Sequence, residues 1–571
     1  MAHVPPPCRP SQVNSAASEP LFGKLRQRIA YDGTNTPVKA VLFLVVCLAW
    51  LLPGLVGHDP WKTDEAITLG VVAEMLRSGN WTVPMLAGEP FLARAPLFFW
   101  TAAAFARAFG GLLPLHDAAR LASGFFMAVT MAGVMVSALE LHGPRAGRIA
   151  VLLLIGSLGL LIRAHEMSPS LAGLAGVSVG VAGLALAARR PRLGGTLLGA
   201  GLGIAFLGDG LIPLLLVGGL AAALPGSGSA WRTRSYAIAV AIGITVALLL
   251  AGGWSILLAT QAQALSGEWP RMAIATRWSG SAPGIEFADF TYFARILPWY
   301  AWPALPLAAW TVWRTRKTIA SREDLRLPRA AAVAFFVLLS VFAEAREVNA
   351  LPLLVPLVLL GVAELDSLPR GIASALDWFG VTTFALLALV LWVGFSAALT
   401  GSPAGVAAWL QREVPGYHYS FRFIPFALAA LLTCIWIVVI ARSLRTTRRA
   451  VVNWSAGITM VWMLTMMLGL PVIDQARSYR GVATRLAHEL DNSRCTLGMG
   501  VGDAQRALLD YFVGLRVLPR ESARAAECET LLAQVSPGRA PVVDGSVWNE
   551  WWRGSRPGDR GEAFVLYRRI R

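Results

Sequence analysis

Charged residues are scarce in this sequence, at 15% of 571 residues, and cysteines number only five. A soluble domain carries about a quarter of its residues charged, so this composition argues against a water-soluble chain. The cysteines include no C-x-x-C spacing, which excludes the common zinc and dithiol motifs. Cys47 and Cys434 fall in apolar runs and read as packing residues, Cys8 lies in the N-terminal tail, and Cys495 and Cys528 could pair if the C-terminal polar region faces an oxidising compartment. The polar stretch 1–38 is not followed by a small-residue cleavage site, so the first apolar run reads as a retained helix. Gly498-Met499-Gly500-Val501-Gly502 lacks the full dinucleotide fingerprint and its acidic partner, and no cofactor is expected.

What the sequence has is apolar length. It is 56% hydrophobic, and runs long enough to cross a bilayer recur near 39–57, 118–140, 147–163, 169–188, 194–207, 210–224, 235–259, 292–313, 329–344, 349–363, 373–399, 422–441 and 454–474. The short hairpin 194–207 and 210–224 is the weakest of these. The net charge of +16 need not mean nucleic acid. With the N-terminus inside, the inner segments carry Lys24, Arg26, Arg28 and Lys39, then Arg145 and Arg148, Arg189, Arg190 and Arg192, and Arg232 and Arg234. They continue with Arg314, Arg316, Lys317, Arg322, Arg326 and Arg329, then Arg370, and finally Arg442, Arg445, Arg448 and Arg449. This is a positive-inside pattern, and a basic face toward anionic lipid is a second reading of it. Residues 96–113 are also apolar, but a span there would place every later basic loop outside. They are therefore expected as an interfacial helix on the outer surface. The domains expected are a cytoplasmic tail (1–38), a membrane domain (39–474) whose first outer loop covers 58–117, and an outer α/β domain (475–571). The last should contain helices at 480–490, 503–513 and 521–534 and strands near 495–501, 514–518, 540–543 and 563–568.

The first outer loop is too long for a simple connection. It opens on His58-Asp59-Pro60-Trp61-Lys62-Thr63-Asp64-Glu65. Ile67, Val71, Val72, Met75 and Leu76 then fall on one helical face, with Thr63 or Asp64 as N-cap and Gly79 as the stop. The helix is expected in the interface, apolar face down, with Asp64 and Glu65 at the outer rim where a lipid phosphate would lie.

Asp64-Glu65, a helix ending in Met75-Leu76-Arg77-Ser78-Gly79-Asn80-Trp81, then Val83-Pro84, Gly88 and Phe91-Leu92-Ala93-Arg94-Ala95-Pro96-Leu97-Phe98-Phe99-Trp100 follow in order. This order resembles the first outer loop of the aminoarabinose transferase and protein O-mannosyltransferase superfamily, which has the GT-C fold. The likeness covers about forty consecutive residues. It extends more weakly to Arg120, to Leu297-Pro298-Trp299, and to the stretch from Arg346 to Pro356. The resemblance implies a polytopic α-helical membrane protein of GT-C type, with about thirteen spans, outer juxtamembrane helices and a small outer α/β domain. It implies a bacterial inner-membrane glycosyltransferase that moves a sugar from a polyprenyl phosphate to a lipid A-like, glycan or protein acceptor, with membrane lipids as partners and no nucleic acid.

By the same resemblance Asp64 would be the catalytic carboxylate, as a base or an orienter of the acceptor. A phosphate leaves without a general acid, so the remaining needs are a base and cations for the phosphate charge. Arg94, at the family's lysine position, and Arg346 would supply the cations. Glu65 would support the chemistry, and His165 and Glu166 could replace the aspartate that the family carries before Pro169, where this chain has Ser168. The family's Glu-Lys-Pro-Pro is here Ala93-Arg94-Ala95-Pro96. Its acidic residue, associated with a metal, is gone, so no metal site is expected. The family's Lys-Gly in the fifth–sixth hairpin is Asp209-Gly210 here.

Each residue also has a plainer reading. Asp64 could merely cap its helix, Arg94 could snorkel to headgroups, Arg346 could pair with Glu344 or Glu347, and His165 and Glu166 could be ordinary loop polars. Asp209 reads as a solvated turn residue, and His58 as a lone interfacial histidine. A transporter or flippase, or a non-catalytic member of the family, is the alternative. No internal repeat or mid-membrane charge cluster of the kind transporters carry is visible.

Overall fold

A computed structural model describes residues 37–571 except 263–266, 268–290, 320, 443–446, 491–494, 520–527, 538–542 and 571. The chain divides after Val45. The described part of the first unit is the start of the helix Pro37–Leu51, and all the remaining elements belong to the second unit, residues 46–571.

The protein is a polytopic helical membrane protein with a small C-terminal sheet domain. Among the described residues seven helical runs are long and apolar enough to cross a membrane: Leu115–His142, Pro169–Ala187, Arg234–Gln261, Glu323–Phe342, Arg370–Thr400, Phe423–Arg442 and Arg449–Glu489. An eighth is added if Pro144–Ile155 and Leu158–His165, bent by 73°, form one span. All thirteen segments expected as spans are helical at least in part, but several are short or broken. The segment expected at 292–313 is two helices, Tyr292–Tyr300 and Ala304–Thr315, and that at 349–363 opens as a 3-10 turn, Glu347–Leu353. Prolines interrupt both, at Pro303 and Pro352, because proline lacks an N–H donor and crowds the preceding turn.

Small residues set the closest helix packing. Cβ atoms built on Gly176 and Gly183 would each lie 2.3 Å from a backbone nitrogen of the helix Pro191–Asp209, those of Ala205 and Leu198. One on Gly201 would lie 2.3 Å from the nitrogen of Gly180. Helices in lipid associate through such close backbone approach, since the surrounding tails are as apolar as leucine. Glycine thus holds the first arm of the weakest expected hairpin against the preceding helix, Pro169–Ala187.

The first outer loop forms the helix Asp64–Ser78, a hairpin of β1 (Met85–Leu86) and β2 (Glu89–Pro90), and the helix Leu97–Phe109. Gly79 ends the first helix in the left-handed conformation, its N–H bonded to Met75 O at 3.0 Å, as expected, while the Thr63 side chain makes no cap bond. The hairpin turn has φ of 48° at Ala87 and 87° at Gly88, the primed turn that suits two-residue hairpins.

The helix Asp64–Ser78 is buried on most of its sides rather than laid with one face toward lipid. The helix Asp503–Val513 of the C-terminal domain packs on it so closely that a Cβ on Gly70 would lie 2.7 Å from Ala507 Cβ. Ala66 belongs to the C-terminal core with Tyr479, Val482, Leu508, Leu532 and Phe564. The expected apolar stripe is real, but residues about 430 positions away cover the faces beside it.

The C-terminal sheet has the order β4-β3-β5-β7-β6, with β3 (Thr496–Met499) parallel to β4 (Val517–Pro519) and β5 (Thr530–Val535), and β7 (Ala563–Arg569) antiparallel to β5 and β6 (Trp548–Gly554). The helices expected at 480–490 and 503–513 are present. The helix expected at 521–534 is corrected at its end. Residues 530–535 are a central strand, whose continuous apolar run lacks the alternation that would have distinguished it from a buried helix; residues 521–527 lie outside the described ones. Of the strand expected near 540–543, residues 540–542 lie outside the described ones and Val543 is in no strand. The edge strand β6 was not expected, because its half-exposed Trp-Asn-Glu-Trp-Trp run shows no period of two. Cys495 and Cys528 form a disulfide that ties the start of β3 to the residues before β5.

Replacing Gly176 with leucine is expected to force the two packed helices apart. The protein in detergent should melt at a clearly lower temperature, by at least the ~1–3 kcal/mol of an overpacked core. An unchanged melting temperature would contradict this packing.

Candidate functional site

The site begins with a buried guanidinium. Arg120, on the helix Leu115–His142, has no solvent exposure. It donates to Glu65 Oε1 at 2.6 Å, Asp117 Oδ1 at 2.8 Å, Leu55 O at 3.2 Å and His58 O at 3.2 Å. Glu65 takes a second bond, from Trp61 N–H at 2.8 Å, and Asp117 Oδ2 accepts from Gly57 N–H at 2.9 Å. A buried charge persists only when paired and hydrogen-bonded, and here both conditions are met. Burial alone would raise the Glu65 carboxyl, but the Arg120 charge, with His58 and the Trp61 N–H, outweighs it and holds the group below the ordinary glutamate value.

Successive residues on a helix point about 100° apart. With Glu65 turned inward to Arg120, Asp64 faces a cavity of about 210 Å³ whose lining includes Thr68, Ala93, Arg94, Glu344, Arg346 and Asn349. Arg346 Nη2 donates to Asp64 Oδ1 at 3.0 Å, and its other terminal nitrogen lies 4.0 Å from Glu344. Arg94 is paired with Asp209. The Asp209 charge, with Asp64 and Glu344 behind it, raises the Arg94 guanidinium above its already high ordinary value against the opposing effect of burial. Among the described residues no three His, Cys, Asp or Glu side chains cluster as a metal site.

The fold thus brings Asp64 and Arg94 of the first loop to one cavity with Arg346, more than 250 positions away. It does not bring Glu65 there: that carboxylate is 2% exposed with both oxygens engaged. His165 is buried as well, its ring nitrogens 2.7 Å from Leu161 O and 2.8 Å from Trp50 O. Glu166 accepts from Arg163 at 2.9 Å, and Arg163 reaches Glu347 at 3.3 Å. Burial raises the Glu166 carboxyl despite Arg163, and the charges of Glu65 and Asp64 push the same way. Asp209, read as a solvated turn residue, is 6% exposed and holds Arg94. Its signal was the charge reversal at the family's lysine, which becomes intelligible only once Arg94 stands opposite. His58 is likewise buried, with its nitrogens 2.7 Å from Asp59 O and 3.0 Å from Gly54 O.

The C-terminal domain and the helix leading into it grip the loop just before Asp64. Asp59 accepts from Ser478 at 2.6 Å and from Arg480 Nε at 2.9 Å, and Asp474 accepts from Asp59 N–H at 2.9 Å and from the Trp61 indole at 3.0 Å. Lys62 reaches Glu562 at 3.4 Å, a buried carboxylate that also accepts from Gln505 at 2.6 Å, Gln534 at 2.7 Å and Tyr479. Farther along the helix, Glu74 and Asp510 share Arg77 and Arg516. Sequence reading could not find these pairs, since most join residues more than 400 positions apart.

No family model and no curated protein matches the sequence. Solved structures share the fold, among them two of one protein. ArnT from Cupriavidus metallidurans bound to undecaprenyl phosphate superposes with a TM-score of 0.66 and 17% identity, over 93% of this chain and 98% of that one. The same protein in the apo state gives 0.61 and 19% identity over the same shares. The membrane domain and the C-terminal sheet domain are therefore arranged in one fold shared along nearly the whole of both chains.

Arg120→Met is expected to leave Glu65 as a buried charge without its ion partner and to cost about 3–5 kcal/mol. The pH dependence should change as well. In the wild type the Glu65 contribution is complete above the ordinary glutamate value of about 4.3 and is lost as pH falls through the depressed native value. Thermal unfolding from pH 7 to pH 3 should show this acid-side loss in the wild type and a reduced one in the variant.

Proposed function

We propose that this protein is a membrane glycosyltransferase that takes a sugar from a polyprenyl phosphate and transfers it to an acceptor hydroxyl at the outer side of a bacterial inner membrane. The observation that carries the reading is a carboxylate, Asp64, facing a cavity beside two guanidiniums, Arg346 and Arg94. The shared fold with a protein solved with undecaprenyl phosphate supports the donor class.

The chemistry follows from the charges. The bond between the sugar's anomeric carbon and the phosphate oxygen breaks, and the acceptor oxygen forms the new bond to that carbon. Asp64 takes the acceptor's proton, and the electron pair leaves with the phosphate. A phosphate needs no proton to depart, so the work left to the protein is to hold its charge. A guanidinium has five N–H donors, so Arg94 and Arg346 can each engage a phosphate while keeping a carboxylate partner. Glu65 acts through Arg120 to fix the direction of Asp64 and is a positioning residue. The N-terminus is cytoplasmic and the C-terminal domain periplasmic in this reading, which agrees with the inner placement of the basic loops. The acceptor is a lipid A-like lipid, a glycan or a protein.

Asp64→Asn should lower transfer by about 10²-fold or more, the usual worth of a general base, while melting temperature and membrane level stay near wild type. Wild-type activity in that variant would remove Asp64 from the chemistry. Arg346→Gln should weaken use of the donor by about tenfold or more, the loss of a charged hydrogen bond. Mass spectrometry of lipid A and envelope glycans, with and without the protein, identifies the acceptor. A pentose-amine mass missing from lipid A would select the aminoarabinose reaction.

A further inference from the structure

A second recess, of about 590 Å³, opens on the flank of the membrane domain between the helix Ala304–Thr315 and the first turns of the helix Arg370–Thr400. It shares no residue with the Asp64 cavity. Its walls include Trp302, Trp310, Trp313, Ile372, Leu376 and Phe379. Aromatic contacts fix their shape: Trp302 lies 5.8 Å from Phe379 and 6.1 Å from Trp454, and Trp310 lies 5.1 Å from Trp313. The Trp310 indole donates to Ser367 at 3.2 Å, tying the two walls together. A flat apolar flank meets fluid lipid tails, whereas a walled recess can retain one chain.

The rim of the recess is cationic. The Arg316 guanidinium lies 4.7 Å over the Trp313 ring and donates to Trp313 O at 2.9 Å. Arg314 and Lys317 are exposed beside it, and Arg370 opens the facing helix. Among the described residues none of these four has a carboxylate partner. Nearby cations do have them: Arg322 is held by Asp324 and Glu364, Arg448 by Asp366, and Arg449 by Asp377. The acidic groups on this side are thus taken up away from the recess, and positive charge is left at its mouth. Each basic residue near a bilayer surface adds attraction to anionic lipid.

We propose that this recess is a binding site for an anionic phospholipid, with one acyl chain between the two helices and its phosphate at Arg314, Arg316, Lys317 and Arg370. The inference does not depend on the transfer reaction. Its test is native mass spectrometry of the full-length protein in mild detergent, titrated with phosphatidylglycerol and phosphatidylethanolamine of the same chains. The wild type should retain its first phosphatidylglycerol about tenfold or more over phosphatidylethanolamine, as expected from several such charges. Arg314→Gln, Arg316→Gln and Arg370→Gln together should bring that ratio near one. Ala375→Trp, which fills the recess and leaves the charges, should reduce retention of both lipids. Ala309→Trp does the same from the opposite wall and replaces Ala375→Trp if that variant melts early. Equal retention of both lipids by the wild type would overturn the proposal, as would a preference that survives the triple substitution or the filled recess. Capture of added polyprenyl phosphate that is lost when the recess is filled by Ala375→Trp or Ala309→Trp would overturn it too.

Discussion

The Arg120 guanidinium organises the half of the membrane domain that meets the C-terminal sheet domain. It is withdrawn from water and joins four parts of the chain: the turn after the first helix through Leu55 O, the entry to the loop through His58 O, its own helix through Asp117, and the loop helix through Glu65. A charge in that position is tolerated only if every partner stays in place, so the cluster specifies one arrangement of the loop rather than several. Because Glu65 points inward, its neighbour Asp64 must face elsewhere, and it faces the cavity. The direction of the candidate base is set one residue away from it.

The C-terminal domain completes that constraint from the other side. A long outer loop whose stability depended on lipid contact alone would be poorly fixed. Here Asp59, Trp61, Lys62 and Glu74 each have a partner in residues 474–562, and Gly70 allows the helix Asp503–Val513 to approach at backbone distance. The membrane domain and the C-terminal domain share a core at Ala66. The loop helix is therefore a buried element between two bodies, which explains why a segment of this length is ordered.

Charge is used differently at the two ends of the membrane domain. Around Asp64 three guanidiniums are held by carboxylates: Arg94 by Asp209, Arg346 by Asp64, and Arg163 by Glu166 and Glu347. These cations are oriented beforehand by their carboxylate partners. On the opposite, basic side some cations are paired and lock helix ends, while those beside the aromatic recess have no carboxylate partner among the described residues. Net charge alone conveys neither arrangement.

The sequence by itself determined the membrane class, the helical segments and the loop that holds the candidate site. Hydropathy is a local property, and the order from Asp64-Glu65 to Arg94-Ala95-Pro96 lies within one loop, so both are legible without a structure. The stop at Gly79 and the helices at 480–490 and 503–513 rest on local backbone preference and periodicity for the same reason. What only the tertiary structure decided is which side chains face one another. Asp64 and Glu65 are adjacent carboxylates that only the resemblance ranks in sequence, and burial against Arg120 separates them physically. Asp209 looked like a turn residue until Arg94 stood opposite it, and residues 530–535 became a strand because β3 and β7 flank them. These outcomes depend on contacts between distant segments, where the cost of leaving a charge or a backbone group unpaired overrides any local preference.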